Sequence, residues 1–278
     1  MSLEQTVSAH YSNKDLLEKI YQGLEQLGFD KNQLTQSDLS SVDEFHIGGS
    51  EGTLLLAEKL SLTTSSKVLD IGCGIGGPAR LLSSVIGCKV SGIDLTADYV
   101  NAGNELTNQV GLSNSVNLVN ASALDVPFPD DSFDVSYMIH VGMNIVDKET
   151  LFSEAYRVTK PGGIFGIYDV MLAGSEELQY PLPWAEEKEG SAMSSVEDYN
   201  LALTKVGFSL TYEEDKTDFA IDFFEKMSIT MSSSDGPSPI GLHLLMGELT
   251  KQKIGNMAYL IKSGVIAPRI IISKKNIN

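Results

Sequence analysis

Between Lys67 and Pro78 the chain reads KVLDIGCGIGGP, an apolar run that carries a carboxylate, Asp70, and then a cluster of glycines. That order predicts a short buried strand, a turn built on Gly72, Cys73, Gly74 and Gly76, and a helix opening at Pro78, where a fixed φ and a missing N–H do no harm. Glycines at a strand end let backbone amides approach a nucleotide-sized ligand, because no Cβ intervenes. The letters also satisfy G-x-G-x-x-G, so spacing alone leaves the cofactor open. Asp70 makes the choice. A carboxylate two residues before the first glycine repels a pyrophosphate and suits a ligand carrying an ammonium and a sulfonium, which S-adenosylmethionine is.

About twenty residues further on, CKVSGID reads as a second buried strand ending in Asp94. That spacing fits an acid accepting hydrogen bonds from a ribose diol, and capping of the helix that opens at Thr96 or Ala97 is the other reading. Methyl transfer from a sulfonium is an in-line displacement. The cofactor supplies the reactivity and the protein aligns the nucleophile and excludes water. A nucleophile that bears a proton also needs a base.

The chain has four histidines, His10, His46, His140 and His243. His140 follows the fourth expected strand, at the edge where open α/β sheets place ligands, and is the first candidate for base or substrate orienter; a histidine hydrogen-bonded at a strand end is the competing reading. His46, just before Gly48-Gly49, is the second candidate. His10 and His243 read as surface or cap residues. At the end of the fifth strand Tyr168 and Asp169, with Trp184 beyond, form an aromatic and acidic rim able to hold a cationic amine or simply to close the sheet. Asn144 either orients a polar substrate group or caps the helix near Asp147. Asp130-Asp131 reads as a turn, and no metal is called for. Arg80 and Arg157 read as structural. Met138, Met143, Met171 and Met193 are candidates for an apolar cavity wall or for core.

These residues need a scaffold. Further strands are expected at Val116–Asn120, Val135–Ile139, Ile164–Val170, Phe208–Tyr212 and Val265–Ser273. A helix over Asp147–Val158, with Leu151, Ala155 and Val158 on one face, ends at the turn signal Lys160-Pro161-Gly162-Gly163. Strands alternating with helices argue a parallel, doubly wound sheet. Before residue 48, Leu16, Leu17, Ile20, Leu24 and Leu27 recur at helical spacing, and residues 215–262 are mostly helical in pattern around a Ser/Pro-rich loop at 232–239. The expected organisation is therefore a helical arm at 1–47, a cofactor-binding core at 48–214, a helical insertion at 215–262 and a final core strand at 263–278. The inserted helices serve as a cap, a homodimer surface, or both.

With 278 residues and 42% hydrophobic composition the chain can bury one large core plus a cap. A net charge of −17 argues against nucleic acid as a partner, and the pair Lys274-Lys275 reads as a solvated tail. No apolar stretch is long enough for a membrane span, the first fifteen residues lack signal-peptide regions, and the two cysteines form no framework, so a cytoplasmic setting is expected.

VLDIGCGIGG, SGIDL, VPFPDDSFDVSYMIH and EAYRVTKPGGIFGIYDV together resemble the class I S-adenosylmethionine-dependent methyltransferases over roughly residues 49–212. The nearest likeness is to the small-molecule branch, with the ubiquinone-biosynthesis and sarcosine/dimethylglycine types as relatives. DEFHIGGSEGTLLLAEKL and HVGMNI are similar to segments of that branch. The resemblance implies a Rossmann-like, seven-stranded, mostly parallel sheet with an antiparallel last strand. It also implies that Asp70, Gly72, Gly74, Asp94, Leu95, Ala123 and Leu124 line the cofactor site, and that Tyr11 reaches over it. Ser122 departs from the pattern: relatives often carry there an acid that faces the adenine amino group, and a hydroxyl accepts that bond more weakly. The expected activity is methyl transfer to a small molecule, a small amine first, with C- or O-methylation of a quinone-like or other lipophilic ring as the alternative. A non-catalytic S-adenosylmethionine-binding protein is the rival of another class. An amino-acid acceptor would need a cation for its carboxylate, and no arginine stands in the expected pocket.

Overall fold

The structure, a computed structural model, describes residue 4 and residues 10–12, 15–233 and 238–277. Parts of the N-terminal arm and residues 234–237 of the Ser/Pro-rich loop lie outside the described residues. The elements of the core alternate as expected: β1 (Lys67–Ile71), β2 (Lys89–Asp94), β3 (Val116–Asn120), β4 (Phe133–Ile139), β5 (Thr159–Leu172), β6 (Phe208–Asp215) and β7 (Ile266–Lys275). They form one sheet of order β3-β2-β1-β4-β5-β7-β6. β1 to β5 pair in parallel, and β7 runs antiparallel between β5 and β6. The direction of winding reverses between β1 and β4, which opens a crevice at their carboxyl ends. Asp70 and His140 stand on its two sides.

Helices cover both faces: α1 (Leu16–Gln26), α2 (Gly49–Lys59), α3 (Gly77–Ile86), α4 (Ala97–Gln109), α5 (Lys148–Val158), α6 (Val196–Val206), α7 (Thr217–Ser233) and α8 (Thr250–Lys262), with short helical turns at Ser40–Asp43 and His243–Met246. The alternation of side chains along β1 sends Val68 to one apolar layer with α2 and α3, and Leu69 and Ile71 to the opposite layer with α5 and α6. On α5, Leu151, Ala155 and Val158 are fully buried, as their spacing requires. α1 packs Leu16, Ile20 and Leu24 against Tyr99 and Leu106 of α4. α7 and α8 close a separate apolar cluster with Leu182 and Trp184 from the loop after β5. Among the described residues, no helix is long and apolar enough to cross a membrane.

Two local expectations fail for a tertiary reason. Lys160-Pro161-Gly162-Gly163 follows the end of α5 at Val158, as expected, but is no free turn: β5 already starts at Thr159, pairs with Phe133, and shifts register between Phe133 and Val135, so Gly162, at φ 78°, sits in a bulged strand. Lys274-Lys275 is no tail. Lys275 is buried at the end of β7, its Nζ 2.7 Å from Asp131 Oδ1 and 4.6 Å from the centre of the Tyr156 ring. The exposed face and edge of β6 carry Glu213, Glu214 and Asp215, charges that discourage pairing with another chain.

A buried ion pair ties the arm to the core. Arg80 on α3 donates through Nη2 to Asp43 Oδ1 at 2.5 Å and through Nε to Oδ2 at 3.2 Å, and both side chains are wholly buried. The remaining Nη1 donates to Gly103 O and Thr107 Oγ1 on α4. One guanidinium thus fixes the turn at 40–43, α3 and α4 around the glycine loop.

Candidate active site

A cavity opens at the β1/β4 crevice and runs under α7, α8 and the residues that precede α2. Its floor is the carboxyl edge of the sheet. Asp70 is 2% exposed, and its Oδ2 has no hydrogen-bond partner among the described residues. Burial pushes its carboxyl up to about 7; the nearby Tyr137 hydroxyl opposes that rise and the charge of Asp94 adds to it. An unsatisfied buried carboxylate facing a cavity calls for a cationic partner.

The glycine turn has the form the ligand needs. Gly72 has φ 75° and lies so close to Val141 that a Cβ would collide with that side chain. Gly74, at φ 54°, has no protein atom within 4 Å of where a Cβ would be, which leaves its backbone bare to the cavity. Cys73 contributes backbone; burial first, then Asp70 and Asp94, push its thiol well up. Gly76, expected among the cofactor residues, does not line the cavity. It caps α3 at φ 83°, packed against Leu118 and Arg80, and serves the turn rather than the ligand.

Asp94 is not the N-cap of α4, which is Thr96, but it holds the turn that leads into that helix. Oδ2 accepts from Gly74 N and Oδ1 from Thr96 N, each at 2.8 Å, so the carboxylate braces the glycine turn and the turn into α4 while still facing the cavity. Leu95, Ala123 and Leu124 line the wall beside it. Ser122 lines it too, its Oγ accepting from Leu124 N at 3.0 Å and donating to Glu4 Oε1 at 2.5 Å. A carboxylate from the N-terminal arm, 118 residues away in sequence, thus stands beside position 122.

Tyr11 lines the cavity with its ring against Phe45 and Tyr99, and the Asn144 side chain stands against its hydroxyl. Asn144 also lines the cavity with Oδ1 buried and unpartnered among the described residues. It does not cap α5, because Asp147 does, accepting from Thr150 N at 2.9 Å. Both candidate histidines are present. Their ring centres are 5.9 Å apart, and burial holds both neutral, His46 near 4 and His140 well below its usual range. His140 sits at φ 53° with Nε2 buried and unpartnered among the described residues.

Tyr168 is not in the cavity. Its ring packs behind His140 and His46, at 5.1 and 6.3 Å, as part of the core. Asp169, its neighbour, faces the other way, accepting from Gly142 N and Tyr199 Oη at 2.8 Å each. No acidic rim for an amine forms there. Trp184 does line the cavity, pinned by Nε1 donating to Ser191 Oγ at 3.0 Å. Of the four methionines singled out, only Met143 reaches the cavity; Met138 and Met171 are core and Met193 packs beside Trp184. The cavity's apolar end is instead built by Phe223, Phe224 and Met227 of α7, Met246, and Ile254 and Met257 of α8. Their helical apolar pattern marked them as amphipathic, but only packing shows which face looks inward. No lysine or arginine is among the described lining residues, and no group of three or more His, Cys, Asp or Glu gathers as a metal site among the described residues.

Comparison with known proteins fits this geometry. Residues 69–167 match the family described as "Methyltransferase domain". Sterol 24-C-methyltransferase of Eremothecium gossypii is 34% identical over 172 residues, covering 59% of this chain and 45% of that protein. The chain thus spans about half the length of the curated relatives it matches. Geranyl diphosphate C-methyltransferase of Streptomyces coelicolor superposes with a TM-score of 0.71 at 17% identity, covering 99% of this chain and 98% of that one. Phosphoethanolamine N-methyltransferase 2 of Haemonchus contortus, in complex with S-adenosylmethionine, superposes with a TM-score of 0.74 at 17% identity, covering 100% of this chain and 60% of that one. The core has a Rossmann-like methyltransferase fold, shared with a protein whose structure holds S-adenosylmethionine.

Proposed function

We propose that this chain moves a methyl group from S-adenosylmethionine to an unsaturated carbon of a small, neutral, lipophilic acceptor held under the helical cap. The observation that carries the reading is the cavity's polarity. Its carboxylates gather at the glycine turn, while the acceptor end is aromatic and thioether surface without a lysine or arginine among the described residues. A phosphorylated or carboxylated acceptor would enter without a cation to pair it, at a cost of several kcal/mol per buried charge. A ring or chain of carbons is at home there. The curated relative, a sterol C-methyltransferase, points the same way.

The cofactor, when bound, supplies an electrophilic methyl whose carbon–sulfur bonding pair returns to sulfur. Asp70 and Asp94 would hold its ammonium and ribose end, and Glu4 with Ser122 would meet the adenine end. Trp184 and the rings of α7 orient the acceptor and exclude water. When an alkene π pair forms the new carbon–carbon bond, a positive charge appears on the acceptor, and loss of an adjacent proton restores the double bond. That proton is strongly acidic, so a neutral imidazole with depressed basicity still removes it. An ammonium acceptor would instead have to shed its proton before attack, to histidines that burial has made poor bases.

The test is release of S-adenosylhomocysteine by the purified chain with geraniol, a side-chain-unsaturated sterol, sarcosine and ethanolamine in parallel, with mass spectrometry to locate the methyl. Carbon-bound methyl on a neutral acceptor is expected. Turnover confined to the amines would overturn the reading.

A further inference from the structure

We propose that His46 is the proton acceptor of the site, and that Glu44 and Thr53 are its positioning residues. This rests on the carbon-methylation reading above. His46 Nε2 lies 3.0 Å from Gly49 O, which can only accept, so Nε2 carries the ring's hydrogen and Nδ1 carries the free lone pair. Nδ1 makes no hydrogen bond among the described residues, on a ring that lines the cavity. Thr53 Oγ1 stands 3.1 Å from Nε2 and donates to Glu44 Oε2 at 2.8 Å; Oε2 itself is 3.5 Å from Nε2. Glu44 is almost wholly buried, and its second oxygen has no partner among the described residues. A carboxylate placed behind a histidine, joined to it by a hydroxyl, fixes the tautomer and stabilises the imidazolium once the front nitrogen takes a proton.

His140 lacks such a partner. The ionisable group that acts on it is His46, which lowers its basicity further. Of two imidazoles on one cavity wall, only His46 is backed by an acid among the described residues, and that asymmetry assigns the roles: His46 accepts the proton and His140 shapes the wall. In the step itself, the C–H bonding pair next to the cationic carbon becomes the new double bond. The proton passes to His46 Nδ1 and later leaves to solvent.

Burial holds the Glu44 carboxyl up to about 8; Thr53 and Arg80 oppose this, and Asp43 and Asp70 add to it. The His140 and Tyr168 rings face His46 from β4 and β5. Ionisation of Glu44 strengthens His46 as a base, so kcat should rise with pH through about 8.

The experiment compares wild type, Glu44→Gln, Thr53→Val and Thr53→Ser on the acceptor that wild type methylates, with kcat and KM measured from pH 6 to 9. The expected result is that Glu44→Gln and Thr53→Val lower kcat on the order of tenfold to a hundredfold and flatten its rise, with acceptor KM and cofactor affinity kept, while Thr53→Ser restores both rate and profile. Should Glu44→Gln fail to fold, the two Thr53 variants decide alone. Unchanged kcat and pH profile in folded variants overturn this assignment and leave the carbon-methylation reading standing. Absence of neutral-acceptor turnover by wild type overturns that reading and the assignment with it.

Discussion

Replacing Asp70 with Asn separates charge from shape at the glycine turn, since the two side chains are isosteric and Asn removes only the negative charge. The Asp70 carboxyl, raised to about 7 by burial, must be ionised to hold the cofactor's ammonium. If only the ionised form binds, the apparent dissociation constant carries a factor of 1 + 10^(7 − pH). This makes binding about tenfold tighter at pH 8 than at pH 6, with a proton released on binding below pH 7. Hydrogen bonds to charged groups contribute about 1.5–3 kcal/mol, so Asp70→Asn should weaken S-adenosylmethionine binding roughly 10- to 150-fold at pH 8 and much less at pH 6. Calorimetric titration at pH 6, 7 and 8, in two buffers of different ionisation enthalpy, reads both the affinity and the proton release. Wild-type affinity that is equal at pH 6 and pH 8, together with an Asn variant that binds as wild type does, would refute the reasoning.

Three further outcomes follow from the geometry. Arg80→Met strips the partner from a fully buried Asp43 and should cost about 3–5 kcal/mol of stability, much of it recovered in the Asp43→Leu/Arg80→Met double variant; denaturant melts decide it. Trp184→Ala empties part of the acceptor wall and should raise acceptor KM roughly thirtyfold, about 2 kcal/mol, while calorimetry shows cofactor affinity within twofold of wild type. His46 is neutral in the fold with its basicity pushed down to about 4 from an ordinary 6.5. Unfolded chain therefore binds more protons across that window, and stability should fall by up to about 3 kcal/mol as pH drops from 6.5 to 4. His46→Gln should flatten that limb in acid thermal melts.

The cofactor half of the site was legible because it is local. A strand, a carboxylate and a glycine turn lie within ten residues, and chain geometry alone puts Asp70, Gly72, Cys73 and Gly74 at one strand end. Asp94 and residues 122–124 follow because parallel strands joined by helices bring every strand's carboxyl end to the same edge. Side-chain direction is less legible. Tyr168 lies in the expected strand, which runs on to Leu172, and its ring lies in the core behind two histidines, because whether a strand residue faces cavity or core depends on what packs over it.

The sequence by itself determined the fold class and the strand, acid and glycine turn of the expected cofactor site, since periodicity and backbone permissiveness are properties of neighbouring residues. Only the tertiary structure decided the acceptor end. Met227, Phe224, Met257 and Trp184 meet across more than seventy residues of chain because apolar helix faces must be buried against something, and here they close over the open end of the sheet. The same holds for Glu4 on Ser122 and for Lys275 on Asp131: long-range pairs set by packing, for which no local pattern exists.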